Sequence, residues 1–288
     1  MIDSFLSITY PPIPITKIGP VFFSLHGVFA AIGFYFGANH AIKLADKDGA
    51  NGDLFSDGLT WAIFGAILGA RFFTIPAHIG EPGYGFDDIF TLAGSYSIMG
   101  GMAGGIIAAF YRIQIIGKES FKRYGDYAST GLILGTVIGR IGDLAIVEHL
   151  GRETNFFLGY EIKPGYDLAP QHNGLECAEP IVSCGTFHHV AMYDMFLALI
   201  VFFIFMNLKK RFTFGPGSWM GLWAIWYGVQ RSILDTLRFG MGDATIGAFT
   251  WNQIGGLLLA FLGFLLSLIH ISEPTRRYAI SYAVFCLK

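Results

Sequence analysis

Residues 131–151 read GLILGTVIGRIGDLAIVEHLG, a run of small and apolar residues interrupted by Arg140, Asp143, Glu148 and His149. A membrane helix needs about 20 mostly apolar residues, and this stretch supplies them. An Arg or Asp near the centre of such a helix costs roughly 2.5–3.5 kcal/mol even on the mildest scale. Ionisable residues are therefore kept there facing a protein interior or a wet cavity, where they do work. Arg140 and Asp143 are three apart, so they share a helix face, and Glu148 and His149 follow toward the end of the span.

Six further segments have the same character, at roughly 19–43, 55–78, 96–116, 188–208, 217–238 and 248–267, with the quoted one centred on 126–149. Of the 288 residues, 53% are hydrophobic and 14% charged, against about 25% charged in soluble domains. Mean hydropathy is +0.52. Net charge is −2, with no basic stripe to follow a phosphate backbone. These values exclude an ordinary soluble enzyme, a disordered chain and a nucleic-acid binder. The expected fold is all-α and polytopic, with seven transmembrane helices. The opening MIDSFLSITYPPIPIT lacks the basic start and cleavage pattern of a signal peptide.

Lys and Arg near the span ends set orientation. One side collects nine: Lys43, Lys47, Arg112, Lys118, Lys122, Arg123, Lys209, Lys210 and Arg211. The other collects four: Lys17, Arg152, Lys163 and Arg238. The richer side is expected to be cytoplasmic, which puts the N-terminus outside, the C-terminus inside and the long loop of about 150–187 outside. That loop holds Cys177 and Cys184. An extracytoplasmic pair suits a disulfide, two free thiols being the alternative, and no neighbouring ligands suggest zinc. Gly33/Gly37, Gly65/Gly69, Gly100/Gly104, Gly101/Gly105 and Gly131/Gly135/Gly139 repeat every four residues, the spacing of close helix packing.

Other charges lie where charges are expensive. Arg71 ends the second span in GAILGARFF and either snorkels or faces inward. The sixth span, WYGVQRSILDTLR, puts Arg231, Asp235 and Arg238 on one stripe. Arg231–Asp235 reads as a structural pair, which leaves Arg238 unmatched. Two arginines on an inward face suit a phosphate, because guanidinium binds it bidentately and stays charged. The fifth span opens FHHVAMYD, with His188, His189, Tyr193 and Asp194 near the interface. The third begins SIMGGMAGG, a backbone that a helix or a lipid headgroup can approach closely. Together these describe an outward cavity for an anionic headgroup.

The order of these pieces resembles the prolipoprotein diacylglyceryl transferase family from about Ile18 to Ala260. The resemblance rests on IGPVFFSLHGVFAAIGFYFG, the GAR at Arg71, MGGMAGG, HHVAMYD and WYGVQRSILDTLR, and above all on the GR-x-G-[ND]-x-x-x-x-E-x-x-G pattern from Arg140 to Gly151. It implies a multi-pass enzyme of the bacterial cytoplasmic membrane, without cofactor or metal. Such an enzyme moves a diacylglyceryl group from phosphatidylglycerol to the lipobox cysteine of a prolipoprotein, and glycerol phosphate leaves. It further implies that Arg140 and Arg231 face the phosphate. Glu148, Gly151, Tyr227, Asp235 and Arg238 fall on other motif positions, with Arg71, Gly100, Gly101, Gly104, Gly105, Asp143, His188 and Tyr193 as further substrate contacts.

The chain departs from the family where the third-span His or Tyr is Ala103, the first-span Tyr is His26, and the fourth-span Asn is Asp143. The thiol must still be deprotonated. His26 and His188 are the candidate bases, Glu148 stands behind them, and His26 is expected to restore an imidazole lost at position 103. A related transferase with another acceptor, or a non-enzymatic lipid binder, are the alternatives; a carrier would often show inverted repeats, and none is found between the halves. Residues 1–265 read as one transferase domain. Residues 266–288, beginning LSLIHISEPTR, resemble an in-frame translation of a sequencing adapter, so the native chain is expected to end differently. The seventh helix is then expected to break near Leu268–His270.

Overall fold

The computed structural model describes residues 7–18, 21–75, 97–168, 183–238 and 245–271. Among them are seven α-helices: α1 (Leu25–Lys47), α2 (Gly52–Phe72), α3 (Ile98–Phe110), α4 (Phe121–Ala145), α5 (Val190–Arg211), α6 (Ser218–Leu237) and α7 (Trp251–Ile271). A π-helical turn, Tyr111–Ile116, extends α3. Each of the seven apolar segments therefore falls on one helix. Leu25–Lys47 and Val190–Arg211 are long and apolar enough to cross a membrane, and Gly100–Ile116 and Trp251–Ser267 are shorter apolar stretches. Large apolar side chains are displayed outward along the helices, among them Phe64 at 65%, Ile107 at 66% and Ile200 at 57% exposure. A soluble monomer rarely tolerates such a surface.

Helix ends follow local chemistry. The Asn51 side chain accepts from the Leu54 amide and Asp53 sits in the first turn of α2, complementing the helix dipole. Ser97 caps α3 in the same way by accepting from the Gly100 amide. Lys209, Lys210 and Arg211 close α5. The first helix starts at Leu25, later than expected, because β2 (Val21–Phe23) turns back to pair with β1 (Thr16–Ile18). The seventh continues through Leu268–His270 to Ile271, where a break was expected, and Ser267 is buried against Gly221 of α6. The remainder of the tail, 272–288, lies outside the described residues.

The chain divides into two compact units, Met1–Asn39 with Ala128–Lys288, and His40–Tyr127. In the second unit α2 packs on α3 through glycine. A Cβ on Gly104 would meet the Gly65 carbonyl and lie 2.9 Å from the Gly69 Cα, and one on Gly69 would meet the Gly100 carbonyl. Asp57 pairs with Arg112 at 2.6 Å, and the buried Tyr124 hydroxyl receives the Asn51 amide at 3.1 Å.

In the first unit α1 meets α4 by the same device, a Cβ on Gly33 falling 2.6 Å from the Gly135 carbonyl oxygen. The α6–α7 pair uses Gly221 with Gly263 and Gly228 with Gly256. Ile133, Ala198, Phe205 and Trp219 join α4, α5 and α6 in an apolar cluster.

The loop after α4 folds into an antiparallel sheet in the order β3 (Leu150–Glu153), β5 (Thr186–His189), β4 (Gly159–Glu161). The N-terminal segment lies along it: the Ile8 amide donates to the Gly159 carbonyl at 2.9 Å, and the Glu161 amide to the Ile8 carbonyl at 2.9 Å. Val147, Leu150, Tyr160, Ile162 and Phe187 form the core beneath. The Tyr10 hydroxyl reaches the Leu144 carbonyl at 2.7 Å and His189 Nε2 at 2.8 Å. Burial pushes Tyr10 up to about 12, so it stays a neutral donor. Cys184 is disulfide-bonded, while Cys177 lies outside the described residues.

The glycine contacts predict a contrast within α3. Gly104→Ala should destabilise by about 1–3 kcal/mol, because its Cβ runs into backbone that cannot yield. Gly101→Ala, whose Cβ would rest 3.4 Å from the Ala66 carbonyl oxygen and the Ala70 Cβ, should stay within about 0.5 kcal/mol. Denaturant unfolding in detergent measures both.

Candidate active site

Arg140 sits near the end of α4 with its side chain 15% exposed. Its Nη1 donates to Asp143 Oδ2 at 2.5 Å and its Nη2 to Asp194 Oδ2 at 2.5 Å. Asp143 is 1% and Asp194 3% exposed. Burying a guanidinium is tolerable only when its charge is matched and its N–H groups are satisfied, and these two carboxylates do both. Asp194 also accepts from Gln230 Nε2 at 2.6 Å. Asp143 turns its other oxygen to His26 Nδ1. One connected network therefore ties α1, α4, α5 and α6.

His26 Nδ1 also lies 3.4 Å from Glu148 Oε2, and its side chain is 49% exposed. Glu148 reaches back because the chain reverses around it. Val147 and His149, on either side, have φ of 53° and 63°. For a β-branched residue this left-handed conformation is a genuine outlier, of a kind that costs on the order of 1–3 kcal/mol and clusters at functional sites.

The ligand atoms of His26, Asp143 and Glu148 lie within 4.8 Å of one another. By type the set suits a divalent cation, but Arg140 already delivers positive charge to the Asp143 carboxylate.

The end of α6 is arranged otherwise than the sequence stripe suggested. Asp235 pairs with Arg238 Nη1 at 3.4 Å and accepts from the Thr250 hydroxyl. The reason is that Arg238 leaves the helix, with φ −68° and ψ 151°, and swings back. Its Nη2 donates to His149 Nδ1 at 3.2 Å. Arg231, expected to pair with Asp235, has no ion pair or hydrogen bond among the described residues. The charges of Arg140, Arg238 and Asp235 and the Tyr227 phenol all act on it. Tyr227 is stacked on Trp223, centroids 5.4 Å apart.

The remaining expected residues divide. Gly151 forms a backbone bridge with Arg238, and a Cβ there would meet the Leu237 carbonyl and lie 2.7 Å from the His188 Cβ. Its small size serves that close approach. Tyr193 donates to the Leu158 carbonyl at 3.3 Å and lies 3.2 Å from His188 Nδ1. Arg71 is buried at the end of α2, 9% exposed. Gly100, Gly101, Gly104 and Gly105 turn toward α2, at Gly69, Ala66, Gly65 and Ala62, so a helix covers the backbone that was expected to admit a helix or a headgroup. Arg71 and these glycines belong to the second unit.

Sequence reasoning placed Asp194 only at an interface and passed over Gln230 and Thr250. The FHHVAMYD segment held the one available signal: an acid four residues inside an apolar helix must answer a buried cation.

Helices with apolar outer surfaces and a buried ion network are the pattern of an α-helical membrane protein. The chain belongs to the prolipoprotein diacylglyceryl transferase family, whose model matches residues 13–269. It is 28% identical over 270 residues to the phosphatidylglycerol–prolipoprotein diacylglyceryl transferase of Photorhabdus laumondii, covering 90% of this chain and 91% of that one. It is 26% identical over 287 residues to the enzyme of that name from Thermus thermophilus, covering 91% and 99%. The enzyme of Corynebacterium diphtheriae is 25% identical over 245 residues, covering 83% and 85%.

The two arginines should respond oppositely in stability. Arg140→Met strands two buried carboxylates and should cost about 3–5 kcal/mol. Arg231→Met removes a charge that no described partner matches and should leave the unfolding midpoint unchanged or raised. Thermal unfolding of the detergent-solubilised variants measures the difference.

Proposed function

We propose that this protein transfers the diacylglyceryl group of phosphatidylglycerol to the thiol of the lipobox cysteine in prolipoproteins, the first step of lipoprotein biosynthesis. It works as a multi-pass protein of the bacterial cytoplasmic membrane. The seven helices are its spans, with the N-terminus outside and the C-terminus cytoplasmic. The nine basic residues at the α1, α3–α4 and α5 ends support that orientation. So does the contact of the N-terminal segment with the sheet that follows α4.

The observation that carries the donor assignment is the guanidinium of Arg231, which has no ion pair among the described residues. A half-buried cation of this kind is poised for an anion from outside the chain. Arg238, whose pairing with Asp235 is long at 3.4 Å, adds a second cation, and Tyr227 and His149 border the same place. Arg231, Arg238, His149 and Tyr227 are the cradle of the phosphate. Preorganised positive charge in a dry site stabilises the phosphate as it departs. Arg140, saturated by Asp143 and Asp194, holds the cradle's neighbours in place and leaves the phosphate to Arg231.

The test is direct. Membranes carrying the protein, given labelled phosphatidylglycerol and a lipobox peptide, should yield lipidated peptide and glycerol phosphate. Glycerol phosphate without peptide lipidation would mean a different acceptor. Arg231→Lys keeps the charge and loses the planar fork, so kcat/KM should fall roughly 10- to 100-fold, the worth of one charge-assisted hydrogen bond, with the protein still folded. A fully active Lys variant would refute the cradle.

A further inference from the structure

We propose that His26, held by Asp143, is the general base that deprotonates the acceptor thiol. This rests on the transferase reading and names the residue that reading lacks. His26 Nδ1 lies against Asp143 and Glu148, both acceptors. In the neutral ring Nδ1 therefore carries the proton, and the lone pair is on Nε2. Nε2 has no partner among the described residues, and the ring is half exposed. A carboxylate that fixes tautomer and orientation behind an imidazole with a free outer nitrogen is the arrangement that activates hydroxyl and thiol nucleophiles on unrelated folds.

The other imidazoles described in this unit are committed elsewhere. His189 is 1% exposed, beneath Tyr10. His149 accepts from Arg238 through Nδ1. His188 faces Tyr193 and Phe156 and touches no carboxylate among the described residues. Among the described residues His26 alone is backed by acids and open at its outer face.

His26 and Asp143, which the resemblance marks as departures from the family pattern, touch each other. Either alone would be ambiguous, but together they make an acid–imidazole pair. Asp143 is the positioning residue, and it is itself fixed by Arg140. The charges that act on His26 are Asp143, Glu148 and Arg140.

In the step, the cysteine S–H proton passes to His26 Nε2. The sulfur electron pair forms the S–C bond to the glycerol carbon that bears the phosphoester. The C–O bond breaks with its electrons on oxygen, and glycerol phosphate leaves as the dianion. The imidazolium, matched by Asp143, then yields its proton to water.

The experiment uses the full chain in phosphatidylglycerol vesicles with two lipobox peptides, one with cysteine and one with selenocysteine at the acceptor position. A selenol is ionised at neutral pH without help. His26→Gln, whose amide still donates to Asp143, should lower kcat/KM about 100-fold or more on the cysteine peptide, as loss of a general base does. The loss should shrink above about pH 8.5, where a free thiol ionises by itself. On the selenocysteine peptide the loss should be severalfold at most. His26→Gly should regain activity toward cysteine on addition of imidazole. Equal losses on both peptides at every pH, or no imidazole rescue, would overturn the proposal and leave the transferase reading standing. Wild-type protein that lipidates neither peptide would overturn both.

Discussion

A guanidinium in a helix bundle must be answered. Arg140 is answered twice, by Asp143 on its own helix and by Asp194 on α5, and each acid then reaches one helix further, to His26 on α1 and Gln230 on α6. In a bilayer the apolar effect gives helices little reason to prefer one another over lipid. Buried charge supplies that reason, because separating these helices would strand ions in hydrocarbon. The glycine seams let the backbones come close, and the ion network decides which faces meet. Fold specificity thus rests on five side chains: Arg140, Asp143, Asp194, His26 and Gln230.

The same logic sorts the arginines. Arg140 is saturated by two carboxylates, and Arg231 has no ion pair among the described residues. Arg140 and Arg231 look alike in the sequence, each on an apolar span with an acid three or four residues on. The structure separates them through an acid from a distant segment and through the turn that carries Arg238 back onto Asp235. Pairing on a helix surface depends on which cation can bend toward the acid, and Arg238, released from helical geometry at the end of α6, is better placed than Arg231.

Helix number and approximate position were legible because apolar length is a local property, as were the four-residue glycine ladders of α1–α4 and α2–α3. The α6–α7 seam escaped notice because Gly221 and Gly228, and Gly256 and Gly263, repeat every seven residues, outside the four-residue pattern. The β3–β5–β4 sheet was missed because its strands are three or four residues long, too short to show alternation. Asp194 as the partner of Arg140 was out of reach, since long-range pairing leaves no mark in spacing. The contact of His26 with Asp143 was half legible: both residues stood out as departures, and only the fold joined them.

The N-terminal segment gives the protein a history as well as a shape. Ile8 pairs with Gly159 and Glu161, partners more than 150 residues downstream. The α6–α7 hairpin can close as soon as its two helices exist, because its contacts are local. The Ile8 pairing must wait until α1 to α4 and the beginning of the following loop have been made. A segment made before its partners is therefore among the last to find its place, and until then the edge of β4 that Ile8 covers stands open, with its backbone groups available to any extended segment that passes.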